Sequence, residues 1–251
     1  MFFSFVGNKH KKGVIKKITT INYTIKTNKN GIEKDKKVGK AVAKYNKQCD
    51  IKTEVKYDAN DTINEITTYI YNKQDSLYKE LIEDMKNHTI EMRTFRPKEN
   101  KNGITIEKDY YDNDSINPAY LIKTTYLKYD SKNNLSEEEE IYLGLEEELT
   151  TYTYDSNGNE VVSRNYSGHH LPLQYIDSSK YNRLGLLIEY DYFDYKNDDS
   201  AGIIVNTLSE IRKTFYEYSN YDSNGNWLTA IQYNESHTPE YFTERKIEYY
   251  Q

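Results

Sequence analysis

The order of apolar and polar residues follows a period of two over most of the chain. Ile66-Thr67-Thr68-Tyr69-Ile70-Tyr71, Ile104 to Tyr110, Leu121 to Leu127 and Thr243 to Tyr249 are runs of β-branched and aromatic residues alternating with polar ones. Such runs predict β-strands. Thr243–Tyr249 alternates Lys and Glu with its apolar positions, the pattern of a protected edge strand. Val14 to Thr27 predicts a further strand, and Asn28 to Lys40 a mobile lysine-rich loop. The run Ser136 to Leu149 has the Ser and Glu spacing of a helix start, but Gly144 interrupts it. Its position between two turn signals predicts a hairpin bending near Leu143-Gly144-Leu145.

Turn signals separate these runs. Tyr57-Asp58, Tyr71-Asn72, Tyr111-Asp112, Tyr129-Asp130, Tyr154-Asp155, Tyr181-Asn182 and Tyr221-Asp222 each place Tyr before Asp or Asn. The hexapeptide Tyr-Asp-Ser-Asn-Gly-Asn occurs twice, at Tyr154–Asn159 and Tyr221–Asn226. In it Asp accepts hydrogen bonds from backbone two residues on, and Gly takes the left-handed conformation of a bulged type I turn. Lys101-Asn102-Gly103 supplies another turn. Together these predict an all-β fold: an antiparallel meander of repeated hairpins in one elongated, twisted, single-layer sheet, with a two-layer sandwich or an open shell as alternatives.

Tyr-x-Tyr-Asp-x-x-Gly-Asn followed by a strand, complete at Tyr152–Asn159 and partial at Tyr221–Asn226, resembles the YD repeat of RHS-type bacterial proteins. Weaker copies at Tyr57, Tyr111, Tyr129 and Tyr181 extend the resemblance over residues 45–251. Residues 1–44 form a separate lysine-rich segment, continuous with the hairpins. The chain is most similar to short YD-repeat proteins of the bacterial envelope, for which the resemblance implies no enzymatic activity.

Composition refines this picture. The chain has 251 residues, 27 of them Tyr against 7 Phe and one Trp, and its mean hydropathy is -0.95. Tyr covers area with its ring while its hydroxyl stays hydrated, so a thin wall suits it better than a thick core. Residues 1–57 hold fifteen lysines and four acids, a balance of +11; the remainder, with 19 bases and 36 acids, stands at -17. The two parts are expected to lie against each other, or the lysines to solvate an edge. Those fifteen bases include no Arg, so the fork that reads base edges is missing there, and no nucleic-acid partner is expected. Cys49 is the single cysteine, which excludes an intrachain disulfide. The apolar run Phe2 to Val6 is too short for a signal segment, and no stretch has the length of a membrane helix. Location therefore depends on whether a signal peptide has been removed: envelope or secreted if so, cytoplasmic otherwise.

Chemistry is sparsely signalled. The seven glutamates from Glu137 to Glu148 form an acidic hairpin face rather than a calcium loop, which needs spaced ligands around a tight turn. His169-His170 lacks zinc-site spacing, Ser167 lacks the frame of a nucleophile elbow, and no phosphate-binding loop or cofactor motif occurs. The remaining candidate is an aromatic face. Tyr152, Tyr154, Tyr190, Tyr192, Tyr216 and Tyr218 are spaced two apart in pairs, with Trp227 nearby, and are expected to form an interaction face for a protein or glycan. Three functions follow: a non-catalytic surface or envelope scaffold protein, a cytoplasmic immunity-type protein that binds a basic toxin, or a glycan-binding module using Trp227.

Overall fold

The computed structural model describes residues 13–29, 31–72, 77–100, 103–112, 121–142, 146–168, 172–198 and 205–251. They form sixteen strands in chain order: β1 (Ile15–Asn28), β2 (Gly31–Tyr45), β3 (Ile51–Tyr57), β4 (Ile63–Tyr71), β5 (Leu77–Asp84), β6 (Thr89–Asn100), β7 (Gly103–Asp112), β8 (Leu121–Tyr129), β9 (Leu135–Tyr142), β10 (Glu146–Tyr154), β11 (Glu160–Ser167), β12 (Leu173–Tyr181), β13 (Leu187–Asp198), β14 (Val205–Tyr221), β15 (Trp227–Tyr233) and β16 (Pro239–Tyr249). Each strand pairs antiparallel with its neighbours in sequence, so the fold is the expected all-β meander of hairpins in a single layer. The acidic run is a hairpin of β9 and β10, as the Gly144 argument predicted; its bend at 143–145 lies outside the described residues.

The two ends of the meander meet. β1 pairs with β16 from Ile15 opposite Tyr249 to Thr24 opposite Tyr241, which closes the sheet into a barrel. Two expectations change. Thr243–Tyr249 is not an edge: β16 pairs with β15 on one side and β1 on the other. The segment expected to be a mobile loop after Asn28 is strand from Gly31 onward, paired with β1 along its length and with β3 from Lys40. The strand after Gly31 is the returning arm of the long β1–β2 hairpin, while the pairing of β16 has its reason in closure. A thin wall has no second layer to cover its edges, and mutual pairing satisfies both rows of backbone groups at once.

The turn chemistry is uniform. At Asn46, Asp58, Asp130, Asp155, Asn182, Asp222 and Asn234 the backbone N–H donates to the carbonyl four residues on, and the carbonyl accepts from the N–H three residues on. At all seven, one side-chain oxygen accepts the N–H groups two and four residues on, as at Asp155, from Asn157 at 2.8 Å and Asn159 at 2.9 Å. The fourth residue of each turn is left-handed: Cys49, Asp61, Asn133, Gly158, Gly185, Gly225 and His237. Tyr precedes every one of these turns. Five of the seven were among the expected sites; Tyr45-Asn46 and Tyr233-Asn234 carry the same Tyr-Asn pair and were not. Tyr71-Asn72 and Tyr111-Asp112 lead into residues outside the description.

The tyrosines join one hairpin to the next. Tyr71 Oη donates to the Ile51 carbonyl at 2.7 Å, Tyr154 Oη to Leu135 at 2.8 Å and Tyr250 Oη to Tyr45 at 2.7 Å. In the first two cases the acceptor immediately follows the turn before, about twenty residues back. Tyr250 makes the same kind of link across the closure.

Candidate functional site: the inner wall

Directly opposed residues of an antiparallel ladder share a face, so the register sorts the side chains. Thr20 stands opposite both Ala41 and Arg245; Thr243 opposes Ala230, which opposes Tyr218. Tyr190 opposes Thr214, two residues before Tyr216. Tyr192 opposes Asp177, Asp177 opposes Ser163, and Ser163 opposes Tyr152. This one face carries most of the buried residues, among them Ile18, Ala41, Thr67, Thr125, Leu127, Tyr216 and Arg245. The opposite face leaves Val38, Ile70 and Ile211 more than two-fifths exposed. Side chains converge inside a closed wall and splay apart outside it, so the first face is the inner one.

Sixteen strands at a spacing of about 4.8 Å and a tilt of about 40° give a backbone diameter of roughly 30 Å. Barrels of this strand number enclose more volume than their own side chains fill. Among the described residues the connections between strands are turns at the two rims.

The inner wall from β8 to β13 is built of tyrosines bonded to carboxylates. Tyr152 donates to Glu138 at 2.9 Å, Tyr142 to Glu140 at 2.9 Å and Tyr190 to Asp177. Ser163 Oγ also reaches Asp177, at 3.3 Å, and Asn165 Nδ2 donates to Thr150 at 3.1 Å. The Tyr175 and Tyr192 rings lie 5.6 Å apart. Burial pushes the Tyr152 phenol well above its ordinary range, and the neighbouring Glu138 charge adds to this. Tyr190 is raised by burial and then by its bond to Asp177. Glu160 is raised in the same way, by burial and the nearby Asp177. These phenols are neutral donors at physiological pH, and each bonded carboxylate keeps lone pairs for a further donor.

Toward the closure the wall changes character. Arg245, 8% exposed, lies over the Trp227 ring at 4.1 Å, and the Tyr218 ring meets the same indole at 5.1 Å. Burial lowers the guanidinium to about 10, against the opposing pull of Tyr45, Tyr249 and Asp222. It remains charged at neutral pH. Tyr249 Oη donates to Asp222 and accepts from Asn226 Nδ2, which ties the repeated turn at Asp222 to β16.

Of the seven residues nominated from spacing, Tyr152, Tyr190, Tyr192, Tyr216 and Tyr218 therefore share the inner face. Tyr154 lies at the rim of that face as a link to Leu135. Trp227 joins the group through Tyr218, with Arg245 covering one side of its ring. The carboxylate partners Glu138, Glu140 and Asp177, and the buried Arg245, were not nominated. Alternation assigns each to a face of its own strand, but pairing them needs the register between strands.

No protein-family profile and no curated protein sequence matches this chain. Among solved structures, a porin-like protein from Bacteroides uniformis superposes with a TM-score of 0.53 at 13% identity, covering 96% of this chain and 100% of that one. The likeness is one of fold. A porin-like protein from Bacteroides vulgatus, at TM-score 0.31 and 13% identity over 95% of this chain and 99% of that one, is too distant to add to it. So is TcdB2-TccC3 without its hypervariable C-terminal region, at 0.22 and 11%, over 85% of this chain and 16% of that one.

The outer face bears on what such a barrel can do. A barrel that spans a membrane presents an outward apolar band about 25 Å tall. Here the outward positions interleave single apolar residues such as Val42, Val55, Ile66, Leu81 and Phe242 with charges. Lys17 pairs with Glu248 at 2.7 Å, Lys128 with Glu137 at 2.6 Å, Lys180 with Glu189 at 2.7 Å and Lys213 with Asp191 at 2.9 Å. Among the described residues no helix is long and apolar enough to cross a membrane. Four lysines of β2 and β3 find acids close by: Lys34 pairs with Glu244, Lys37 and Lys40 with Asp61, and, on the inner face, Lys56 with Glu65. Those partners come from β16, the β3–β4 turn and β4, not from the acidic β9–β10 hairpin.

Proposed function

We propose that this chain is a non-catalytic bacterial envelope or surface scaffold protein that binds its partner through the inner wall of the barrel. The observation that carries the reading is the tyrosine–carboxylate lining of β8 to β13, in which Tyr152, Tyr142 and Tyr190 each donate to an acid. Phenol faces attract cations and their carboxylate partners are negative, so the partner chemistry that fits is a Lys- or Arg-bearing peptide segment. Envelope placement is supported by the whole-chain likeness in fold to the porin-like protein and by the YD-like turns. The ion-paired outer face favours a barrel bathed in water over one embedded in lipid.

A second reading, an immunity-type protein that neutralises a basic toxin, uses the same wall and differs in compartment. The glycan-binding reading is weaker: it needs an open Trp227 face, and Arg245 covers one side of that ring.

Calorimetric titration with a lysine-rich peptide, an acidic peptide of equal length and a neutral oligosaccharide distinguishes these ideas. Binding is expected for the basic peptide alone. It should weaken with salt and fall about tenfold in the Glu138→Gln, Asp177→Asn double variant, the loss of about 1.4 kcal/mol that two partly exposed charges supply. Equal binding of the acidic peptide, or an unaffected double variant, would remove the reading.

A further inference from the structure

Every ladder of the barrel is antiparallel, so odd-numbered strands run toward one rim and even-numbered strands away from it. The strands that meet at that rim do not end level. β14 pairs with β13 from Val205, but with β15 only from Phe215. β1 pairs with β16 as far as Thr24 and continues beside β2 through Ile25, Lys26 and Thr27. Between these two overhangs the β15–β16 hairpin turns back after Tyr233, opposite Pro239. The rim thus has a notch two strands wide, about 14 Å from β14 to β1 at ordinary strand spacing. Among the described residues no strand pairs with the notch side of Val205–Thr214.

The β1–β2 overhang also has an open side, and it is guarded. β2 pairs with β3 only from Lys40. Lys34, Lys36 and Lys37 lie along the stretch before it, and Lys37 reaches Asp61 in the turn after β3 at 2.6 Å. Lysines on an edge discourage a further strand. The polar side chains of β14 do the reverse and lean back over β13. Lys213 pairs with Asp191 at 2.9 Å, the Arg212 guanidinium lies 5.0 Å from the centre of the Tyr192 ring, and Ser209 Oγ donates to Asp194 at 2.6 Å. Arg212 is further held by Glu210 of its own strand at 2.7 Å. What faces the notch is backbone, flanked by Val205, Leu208 and Ile211, which are 53%, 45% and 44% exposed. Leu208 opposes Tyr195 and Ile211 opposes Phe193, so these four form an apolar strip on the outer face of the overhang.

We propose that the notch is filled by a second copy of this chain. A two-fold axis at the rim lays the two β14 strands side by side, and an edge related to itself by such an axis is antiparallel and self-complementary. The β13–β14 overhang is itself two strands wide. It therefore fits the notch of the other copy, with β14 against the partner's β14 and β13 toward the partner's β1. Charge permits the approach. Tyr195–Asp198 and Val205–Thr214, with Asp194, carry three acids (Asp194, Asp198, Glu210) and three bases (Lys196, Arg212, Lys213), a balance of zero on a chain of net charge -6. The dimer satisfies the open row of β14 as closure satisfies those of β1 and β16.

Sedimentation of the full chain, combined with hydrogen exchange read peptide by peptide, tests this. At high concentration the protein should sediment at twice its 29.7 kDa, and amides across Val205–Thr214 should exchange more slowly than in dilute solution. Leu208→Lys with Ile211→Lys puts two cations per copy on the shared ladder in place of exposed apolar side chains. The double variant should weaken the dimer about thirtyfold or more and leave the circular dichroism and melting of the barrel unchanged. Val38→Lys, at an exposed position of the β2 overhang, should not alter the dimer. A wild-type chain that is monomeric at every concentration overturns the proposal, and so does a dimer that the double variant leaves intact. Slow exchange at Val205–Thr214 in a monomer would mean that the chain covers this edge itself, and overturns it as well. Should the double variant fail to fold, the concentration dependence of wild-type exchange decides alone. None of these outcomes depends on the inner wall having a ligand.

Discussion

Removing the hydroxyl of Tyr154 isolates what the repeated tyrosine contributes to the wall. Its Oη donates to the Leu135 carbonyl at 2.8 Å, from the end of β10 to the start of β9. Tyr154→Phe keeps the ring and deletes this one bond. A net hydrogen bond contributes about 0.5–1.5 kcal/mol, and the half-buried carbonyl left behind regains only part of its solvation. For a chain of 251 residues, about 1 kcal/mol corresponds to roughly 2–4 °C in melting temperature. The expected fall is thus about 1–6 °C by circular dichroism or scanning calorimetry. Tyr71→Phe, which removes the equivalent bond to Ile51 at 2.7 Å, should cost a similar amount. The two sites are six strands apart, so the double variant should be additive within about 0.5 kcal/mol. Tyr241→Phe, at an exposed ring, serves as the control. If Tyr154→Phe melts with the wild type while the control also does not move, the tyrosines act as ring packing alone and the linking role fails.

Alkali should unfold the barrel early. Burial raises Tyr71, Tyr154 and Tyr216 to about 12, and stability supplied by a raised group is lost as pH climbs from the unfolded value near 10 through the folded one; near-ultraviolet tyrosinate absorbance should therefore rise together with loss of the β signal, not before it. At Asp155, replacement by Asn should be tolerated, because Asn46, Asn182 and Asn234 already make the same turn, whereas Asp155→Ala should lower the melting temperature. Hydrogen bonds from Asn159 and Asn157 lower the Asp155 carboxyl, so its contribution is present above the unfolded value and lost in stronger acid, a dependence that the Asn variant should lack. Cys49→Gly should raise stability by about 0.5–1 kcal/mol in denaturant titration, since Cys49 holds φ 71° at a position where a Cβ is strained.

The local unit was legible in the residues. Tyr-Asp-Ser-Asn-Gly-Asn contains its own hydrogen-bond acceptor and its own left-handed residue, so the turn at Asp155 follows from short-range chemistry. The alternation of Ile66 to Tyr71 or Leu121 to Leu127 likewise marks strands without reference to anything distant. The turns at Asn46 and Asn234 carry the same Tyr-Asn signal, and at Cys49, Asp61, Asn133 and His237 the left-handed position is filled without a glycine, so the acceptor side chain and not the glycine defines the turn. The lysine-rich segment after Asn28 looked like a loop because its charges mask a strand that is secured only by its neighbours.

Closure and sidedness lay beyond the residues. Whether β16 ends as an edge or meets β1 depends on twist and tilt accumulated over sixteen strands, small angles that no single hairpin encodes. Alternation divides the tyrosines between two faces, but only closure makes one of them the inside. It is also register that brings Glu138 to Tyr152, Asp177 to Tyr190 and Glu140 to Glu148, residues 8 to 14 apart along the chain. The sequence by itself determined a row of hairpins in which tyrosines two apart, as at Tyr190 and Tyr192, share one face. Tertiary structure decided that this face is an enclosed wall, because only pairing the first strand with the last satisfies the backbone groups of both edges.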